Sequence, residues 1–357
     1  MVQGEVSDIF QITRSIKQGG ILSTFFFVAY YHDIHEFVTR GHHQALTFHQ
    51  RDISSPTMAD DTLLLSATVH GLQTMIDNAY LYGRLWRLEY SPTKTKCIIF
   101  TDKRNKVKHQ WYLGEQNLEE VNSYNYLGVI LSADGSTKTR TTNMTKKGYS
   151  SLGILKASGF HSEGLSPITC STLWQRMLIP SMLYGCEVWG KLTKKESNSL
   201  ELVQKRIGKH IQGLCRRTHD EIVRGLLGWI TIAGITDKCK LNFVYKLIEL
   251  PHDNIIKQIF LCQIYYIIFV PMSIDVRSLT YDLWGVMQKY NVGYMLINYL
   301  VGGCLPNKMF WKQICSVAVY ESEEEKWRNG LLHKQANRFY RIHNELKPFN
   351  FIYVDKR

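Results

Sequence analysis

The sequence lacks any Cys-x-x-Cys pair, although it contains eight cysteines in 357 residues. Scattered thiols in a long chain of ordinary globular composition argue against a disulfide framework, so we expect reduced cysteines and an intracellular protein. The sequence also lacks a long hydrophobic run, since its most apolar stretch, 259–270, is too short to cross a bilayer. The N-terminus carries acids where a secretory signal would carry positive charge. We therefore expect no membrane partner.

Acidic residues are fewer than basic ones, 31 against 43, which gives a formal net charge of +12. Such an excess favours a polyanionic partner, with nucleic acid ahead of an anionic membrane surface. Solvated surface cations would account for the excess equally well. The basic residues concentrate in two stretches, five with no acid between Asp134 and Glu163 and eight against two acids over 191–217. Helical periodicity in both stretches predicts basic helix faces.

The hydrophobic periodicity predicts a buried helix over 21–38 with Ser23 as its N-cap. It predicts a second helix with a wide apolar face over 69–86. A single strand is expected from Tyr124 to Leu131. Helices are expected from about residue 136 to about 260, and the signals beyond that point are mixed.

Two adjacent carboxylates, Asp60 and Asp61, separate two short extended runs, which predicts a tight hairpin with both charges at its turn. Their repulsion between apolar flanks is costly, and a divalent cation would offset it. Mg²⁺ takes one or two carboxylates together with substrate phosphates. Two such metals align the attacking and leaving oxygens of a phosphoryl transfer. Asp-Asp is also a common turn dipeptide.

Four segments of the chain occur in the order of four motifs of reverse transcriptases. They are SIKQGGILSTFFFVAYYHDI (15–34), SSPTMADDTLLLS (54–66), RLEYSPTKTKCIIF (87–100) and NYLGVILSADG (125–135). They resemble, in turn, the R-Q-G-x-x-L-S-P segment, the A-D-D core, the G-L-x-x-N-x-x-K-T-K segment and the Y-L-G hairpin called the primer grip. The resemblance is closest to polymerases of non-LTR retrotransposons. It extends through 179–190, 200–214 and 227–229, so that about residues 1–250 are covered.

The resemblance implies an α+β fold. A partial right-hand polymerase palm, an antiparallel sheet with packed helices, would cover 1–135. A mainly helical, thumb-like region would cover 136–255, and the C-terminal region 256–357 stays unassigned.

The resemblance also implies roles for individual residues. These are Asp60 and Asp61 as metal ligands and catalytic carboxylates, Lys96 (or Lys94) beside the departing pyrophosphate, Gln18 and Gly19 at the template and incoming nucleotide, and Tyr126, Leu127 and Gly128 at the primer end. The implied cofactor is Mg²⁺ in a two-metal site. The implied partners are an RNA template, a DNA primer and dNTPs, and the implied location is the nucleus.

The sequence departs from the family in one part. The family has another metal-binding Asp on a strand well before its Q-G segment, with fingers that are also N-terminal. Here only Glu5 and Asp8 precede Gln18, and they lie too close to it. We expect an N-terminally truncated polymerase that is inactive or nearly so by itself, because in-line transfer depends on positioning and electrostatics. The alternatives are a non-catalytic nucleic-acid-binding remnant, in which Asp60 does nothing, and a palm that does not fold because its sheet lacks a central strand.

Overall fold

A computed structural model describes residues 20–41, 46–101, 108–157, 159–160, 164–270, 278–332, 339 and 341–349. The chain divides into two compact units, Met1–Asn122 and Ser123–Arg357. The first combines helices with small sheets, and the second is mainly helical, so the α+β class is confirmed. The palm, thumb-like and C-terminal regions, with their boundaries at 135 and 255, stay predictions.

The described residues of the first unit form three helices and seven short strands. The helices are α1 Ser23–Tyr30, α2 Ile34–Val38 and α3 Val69–Trp86. The strands are β1 Thr47–Phe48, β2 Arg51–Asp52, β3 Thr57–Met58, β4 Asp61–Thr62, β5 Lys96–Cys97, β6 Trp111–Leu113 and β7 Gln116–Glu120. The strands β1–β2 and β3–β4 form two hairpins. The strands β5, β7 and β6 form a three-stranded sheet in which β5–β7 is parallel and β6–β7 is antiparallel.

Helix α3 is the centre of the first unit, and its bounds confirm the helix predicted over 69–86. It begins at Thr68, whose hydroxyl accepts a hydrogen bond of 3.1 Å from the Gly71 amide, as an N-cap should. Met75 and Tyr82 pack with the buried side chains of α2. Ile76 packs on the other side with Trp111 and the three-stranded sheet. One helix thus supports both the hairpin region and the sheet.

The single buried helix predicted over 21–38 is divided into α1 and α2. Ile34 and Val38 of α2 are buried as expected, whereas α1 does not match the prediction of a buried helix capped by Ser23. No residue of α1 is buried, and the Phe25 and Phe26 side chains are 67% and 57% exposed. Ser23 is the first helical residue, and the N-cap position belongs to Leu22, which makes no side-chain capping hydrogen bond. The prediction was wrong because a run of apolar residues favours burial without specifying a surface to be buried against.

The second unit begins with a hairpin and continues with ten helices among the described residues. The hairpin pairs β8 Ser123–Tyr126 with β9 Val129–Ser132, so the single strand expected over 124–131 is wrong. The helices are α4 Lys138–Ala157, α5 Pro167–Leu173, α6 Ile179–Met182, α7 Lys194–Ile211, α8 Asp220–Leu227, α9 Ile232–Glu249, α10 Ile255–Phe269, α11 Leu279–Lys289, α12 Gly293–Gly302 and α13 Lys308–Leu332. A π-helical turn, Trp174–Leu178, joins α5 to α6, and a 3₁₀ turn, Cys186–Val188, follows α6. The helical character predicted after residue 136 is confirmed.

Two large apolar clusters hold the second unit together. One contains the buried rings of Trp174, Trp189 and Trp229 and lies among α4 to α9. The other surrounds Trp311 and lies among α9 to α13. Helix α9 contributes side chains to both clusters and so connects them. No described helix combines the length and the apolar character needed to cross a membrane.

Candidate functional site

The predicted carboxylate hairpin is present. The strands β3 and β4 pair Thr57 with Thr62 and Met58 with Asp61, which leaves Ala59 and Asp60 as a two-residue turn. Ala59 has a φ of +53°, at the turn position that takes a positive φ in type II′ hairpins and favours glycine. An alanine in that region costs about 1–2 kcal/mol. The turn that carries Asp60 is therefore strained.

The environment of the two carboxylates differs from the expectation. Asp60 and Asp61 are both exposed, and so are Thr57 and Met58 on the preceding strand. Because water screens charges at an exposed turn, the repulsion between the two carboxylates is weaker than the apolar flanks had predicted. That part of the prediction was wrong. The carboxylates are instead open to any ligand that reaches the turn.

Two tyrosines, the buried Tyr31 and the half-buried Tyr90, support the hairpin. The hydroxyl of Tyr31 lies 3.0 Å from the Thr62 hydroxyl and 3.0 Å from the Tyr90 hydroxyl. Burial, followed by the hydrogen bond with Tyr31, raises the pKa of Tyr90 well above its usual value, so its phenol stays neutral. Because Thr62 directly follows Asp61, this network fixes the strand that carries the second carboxylate. This network was not predicted, although the hydroxyl of a buried tyrosine generally has a hydrogen-bond partner.

The donor set of this hairpin fits one Mg²⁺ better than two. Exposed carboxylate oxygens are the hard ligands that Mg²⁺ takes when it is also held by substrate phosphates. Over the described parts of the chain, no cluster of three or more His, Cys, Asp or Glu side chains could hold a metal ion. The two-metal arrangement implied by the resemblance would need further ligands besides Asp60 and Asp61.

The predicted lysine is already paired. Lys96 lies on β5 directly opposite Glu119 of β7, and its ammonium nitrogen lies 2.7 Å from a Glu119 carboxylate oxygen. Lys96 is 22% exposed and Glu119 is 66% exposed. To contact a phosphate, Lys96 would have to exchange Glu119 for it. The alternative residue, Lys94, lies on the exposed turn before β5.

The predicted primer-end residues form a hairpin turn in the second unit. Leu127 and Gly128 have φ values of +48° and +80°, the two positive values that define a type I′ turn. Leu127 is 44% exposed, so it is not a core residue, and Tyr126 is partly buried. The other predicted residues, Gln18 and Gly19, lie outside the described residues.

Two side chains from later in the chain hold this hairpin. The hydroxyl of Tyr184 donates a hydrogen bond of 3.3 Å to the Leu127 carbonyl oxygen. Its ring fills the space beside Gly128, where an added Cβ would lie 2.8 Å from a ring carbon. Arg140 of α4 donates two hydrogen bonds, of 2.6 and 3.1 Å, to the Ile130 carbonyl oxygen. Tyr184 belongs to a segment that carries the family resemblance, but its role was not predicted.

The two basic stretches both have exposed cations, but they differ in their pairing with acidic residues. Four lysines of α4 are exposed: Lys138, Lys146, Lys147 and Lys156. On α7, by contrast, the ammonium groups of Lys205 and Lys209 lie 3.0 and 3.1 Å from the two carboxylate oxygens of Asp220. Helix α4 has no acidic residue, so its exposed face is the stronger candidate for a polyanion.

The chain is distantly related to two polymerases of Drosophila melanogaster. It is 21% identical over 214 residues to the probable RNA-directed DNA polymerase from transposon X-element, a match that covers 58% of this chain and 23% of that protein. It is 21% identical over 218 residues to the RNA-directed DNA polymerase from mobile element jockey, covering 59% of this chain and 23% of that protein. The chain thus spans about a quarter of the length of these relatives. No protein-family model matches it, and no solved structure matches it.

Proposed function

We propose that this chain is part of an RNA-directed DNA polymerase of a non-LTR retrotransposon, with an RNA template, a DNA primer and dNTPs as its substrates. The observation that carries the proposal is the exposed Asp60-Asp61 pair at a strained two-residue turn. The distant similarity to the two mobile-element polymerases supports it. Action in the nucleus is proposed on the family resemblance.

Asp60 would be the principal protein ligand of Mg²⁺ bound together with the phosphates of the incoming nucleotide. When bound, the ion stabilises charge that develops on the transferred phosphoryl group. Asp61 adds negative charge beside Asp60. The hydrogen bonds among Tyr31, Thr62 and Tyr90 keep β4 in place. Lys96 moves from Glu119 to the departing pyrophosphate, where its positive charge favours the leaving group.

The primer end and the template are assigned to other residues. The exposed turn at Leu127 and Gly128, with Tyr126 before it, holds the primer end, because its backbone is fixed by Tyr184 and Arg140. Gln18 and Gly19 would contact the template and the incoming nucleotide. These assignments follow from position in the family motifs.

We further propose that a second segment must supply another carboxylate for catalysis. A polypeptide of residues 1–357 expressed alone should therefore not extend a primer. A version extended at its N-terminus with the corresponding upstream segment of the jockey polymerase should extend a DNA primer on an RNA template in Mg²⁺ and dNTPs. Extension by the unextended polypeptide would contradict the need for a second segment. A well-folded extended version that makes no product would count against the polymerase assignment.

Nucleic-acid binding without catalysis is the second candidate function, and the exposed lysines of α4 favour it. Replacing Lys146 and Lys147 with glutamine should weaken binding of an RNA–DNA duplex. It should also reduce the slope of log affinity against log salt by about 1.8, the contribution of two phosphate contacts on a duplex. Lys312→Gln on α13, another exposed lysine, is the matched control. An unchanged slope in the double variant would show that α4 does not contact phosphates.

A further inference from the structure

Two cysteines of the second unit lie side by side although they are far apart in sequence. Cys186 is the first residue of the 3₁₀ turn, and Cys239 lies on α9. The turn packs against this helix, and both side chains line one cavity that is open to solvent. The Cys186 thiol donates a hydrogen bond to the Cys239 sulfur. Thiols in direct contact can be joined as a disulfide with little movement of the backbone.

The two sulfurs are brought together by well-packed elements. Cys186 is buried in the apolar cluster that also contains the ring of Trp189, which directly follows the 3₁₀ turn. Cys239 packs against the same cluster from α9. Helix α9 is fixed at its start, where the Thr231 amide and hydroxyl donate hydrogen bonds to the Glu323 carboxylate. The contact between the sulfurs is therefore a property of the folded second unit.

The two thiols differ in exposure and in acidity. Cys239 is half-buried, whereas Cys186 is buried. The hydrogen bond from Cys186 lowers the pKa of the Cys239 thiol below its ordinary value. Lys238 and Lys246 act in the same direction, against burial and the charge of Glu187. Because the thiolate is the nucleophilic form, Cys239 should react first with a reagent that enters the cavity.

Other cysteines provide internal comparisons in the same chain. Burial raises the pKa of the Cys97 and Cys315 thiols to about 12 and that of Cys170 to about 11. These three thiols are protonated at neutral pH and should react slowly. Cys215 and Cys304 are exposed and do not line the cavity, so they report on reactivity at the surface.

We propose that Cys186 and Cys239 form a site of reversible oxidation, at which hydrogen peroxide converts the two thiols into a disulfide. The Cys239 thiolate attacks one peroxide oxygen and the O–O bond breaks. The departing hydroxide takes up the proton lost by Cys239, which leaves a sulfenic acid and one water. The Cys186 sulfur then attacks the Cys239 sulfur, the S–O bond breaks, and the hydroxide leaves with the Cys186 proton as a second water. Two electrons pass from the sulfurs to the peroxide, and a dithiol reductant returns them.

The disulfide would tie the 3₁₀ turn to α9. Tyr184 lies just before this turn, and its side chain donates to the Leu127 carbonyl oxygen and packs on Gly128. Oxidation would therefore restrain the segment that supports the β8–β9 turn. The proposal concerns the second unit alone and does not depend on polymerase activity.

The first experiment maps the products of oxidation in the whole chain. The reduced protein is treated with hydrogen peroxide, its remaining thiols are blocked with N-ethylmaleimide, and its peptides are analysed by mass spectrometry without reduction. The cross-link between Cys186 and Cys239 should be about tenfold more abundant than any cross-link that includes Cys215 or Cys304, because the two sulfurs are held in contact. Treatment with dithiothreitol should remove it. A cross-link no more abundant than those of Cys215 and Cys304 would overturn the proposal.

The order of the two steps is tested with Cys186→Ser, whose hydroxyl keeps a hydrogen-bond donor beside Cys239. Without the second thiol, the sulfenic acid on Cys239 should persist, and its trapping by dimedone should rise about tenfold over the wild type. The control variant Cys304→Ser should form the cross-link as the wild type does. Equal trapping at Cys239 in the wild type and in Cys186→Ser would show that Cys186 does not consume the sulfenic acid, which would overturn the proposal.

The melting temperature shows whether the disulfide fits the native fold. A bond that closes a loop of about fifty residues without distortion should raise the melting temperature of the oxidised protein by roughly 5–10 °C. Reduction with dithiothreitol should reverse the shift. A lower melting temperature after oxidation would show that the bond forms only in a distorted or unfolded chain, and this result would overturn the proposal.

Discussion

Replacing Gly128 by alanine tests how the β8–β9 turn is held. Gly128 has a φ of +80°, where an alanine destabilises the folded state by about 1–2 kcal/mol. Alanine also lowers the conformational entropy of the unfolded chain, which offsets about 0.4–1 kcal/mol of that cost. The backbone alone thus contributes a loss of about 1 kcal/mol. The new Cβ would lie 2.8 Å from a ring carbon of Tyr184, so the ring must move. Movement breaks its hydrogen bond to the Leu127 carbonyl oxygen, which adds about 1 kcal/mol.

Gly135→Ala is the matched control for this substitution. Gly135 also has a positive φ, +68°, but an added Cβ there meets nothing within 4 Å. In urea unfolding followed by circular dichroism, Gly128→Ala should lower the free energy of unfolding by about 2 kcal/mol and Gly135→Ala by about 1 kcal/mol. In a Tyr184→Ala background, Gly128→Ala and Gly135→Ala should lower the free energy of unfolding by the same amount. Equal costs in the wild-type background would refute the proposed role of Tyr184.

Two further substitutions test other parts of the fold. Ala59→Gly should raise the free energy of unfolding of the first unit by about 0.5–1 kcal/mol, because glycine adopts the positive φ of this turn without strain; a lower urea midpoint would contradict that account. Glu323→Gln should destabilise the second unit by about 2 kcal/mol, since this buried carboxylate accepts hydrogen bonds from the Thr231 amide and hydroxyl at the start of α9. Burial acts to raise the pKa of Glu323, but the bonds from Thr231 and the ion pair with Lys326 outweigh it and hold the pKa below its usual value. The ionised Glu323 therefore stabilises the fold above about pH 4.3, the pKa of glutamate in the unfolded chain, and this stabilisation is lost as the pH falls through the lower pKa of the folded state. In acid, the free energies of unfolding of the wild type and of Glu323→Gln should therefore converge.

Local signals in the sequence were sufficient for some elements. The Asp60-Asp61 turn was predictable because a tight hairpin is specified by a few adjacent residues. Helix α3 was predictable because its apolar residues repeat with helical spacing and Thr68 caps its start. The exposure of the two carboxylates was not predictable, since it depends on which surfaces the neighbouring segments cover.

Other elements depend on contacts between residues that are distant in sequence. The resemblance to the Y-L-G hairpin implied a turn at Leu127 and Gly128, but the hydrophobic pattern gave a single strand, because Leu127 is a non-glycine residue at a positive φ. The support from Tyr184 comes from 57 residues further along the chain. Lys96 was expected to be available, but its partner Glu119 is brought to it by parallel strand pairing. The hydrophobic pattern did not identify helix α10 clearly, because its own side chains are apolar on most faces. Without a polar face, the sequence shows no helical periodicity.

The central claim is that Asp60 is a catalytic carboxylate of a polymerase. The most direct test is primer extension by the N-terminally extended version, carrying either Asp60→Asn or the control Asp77→Asn. Asp77 is an exposed carboxylate on α3. Asp60→Asn preserves the size of the side chain while removing its charge. We predict that it lowers the extension rate by about 10²–10³-fold and that Asp77→Asn leaves the rate unchanged. Equal rates for the two variants would contradict the claim.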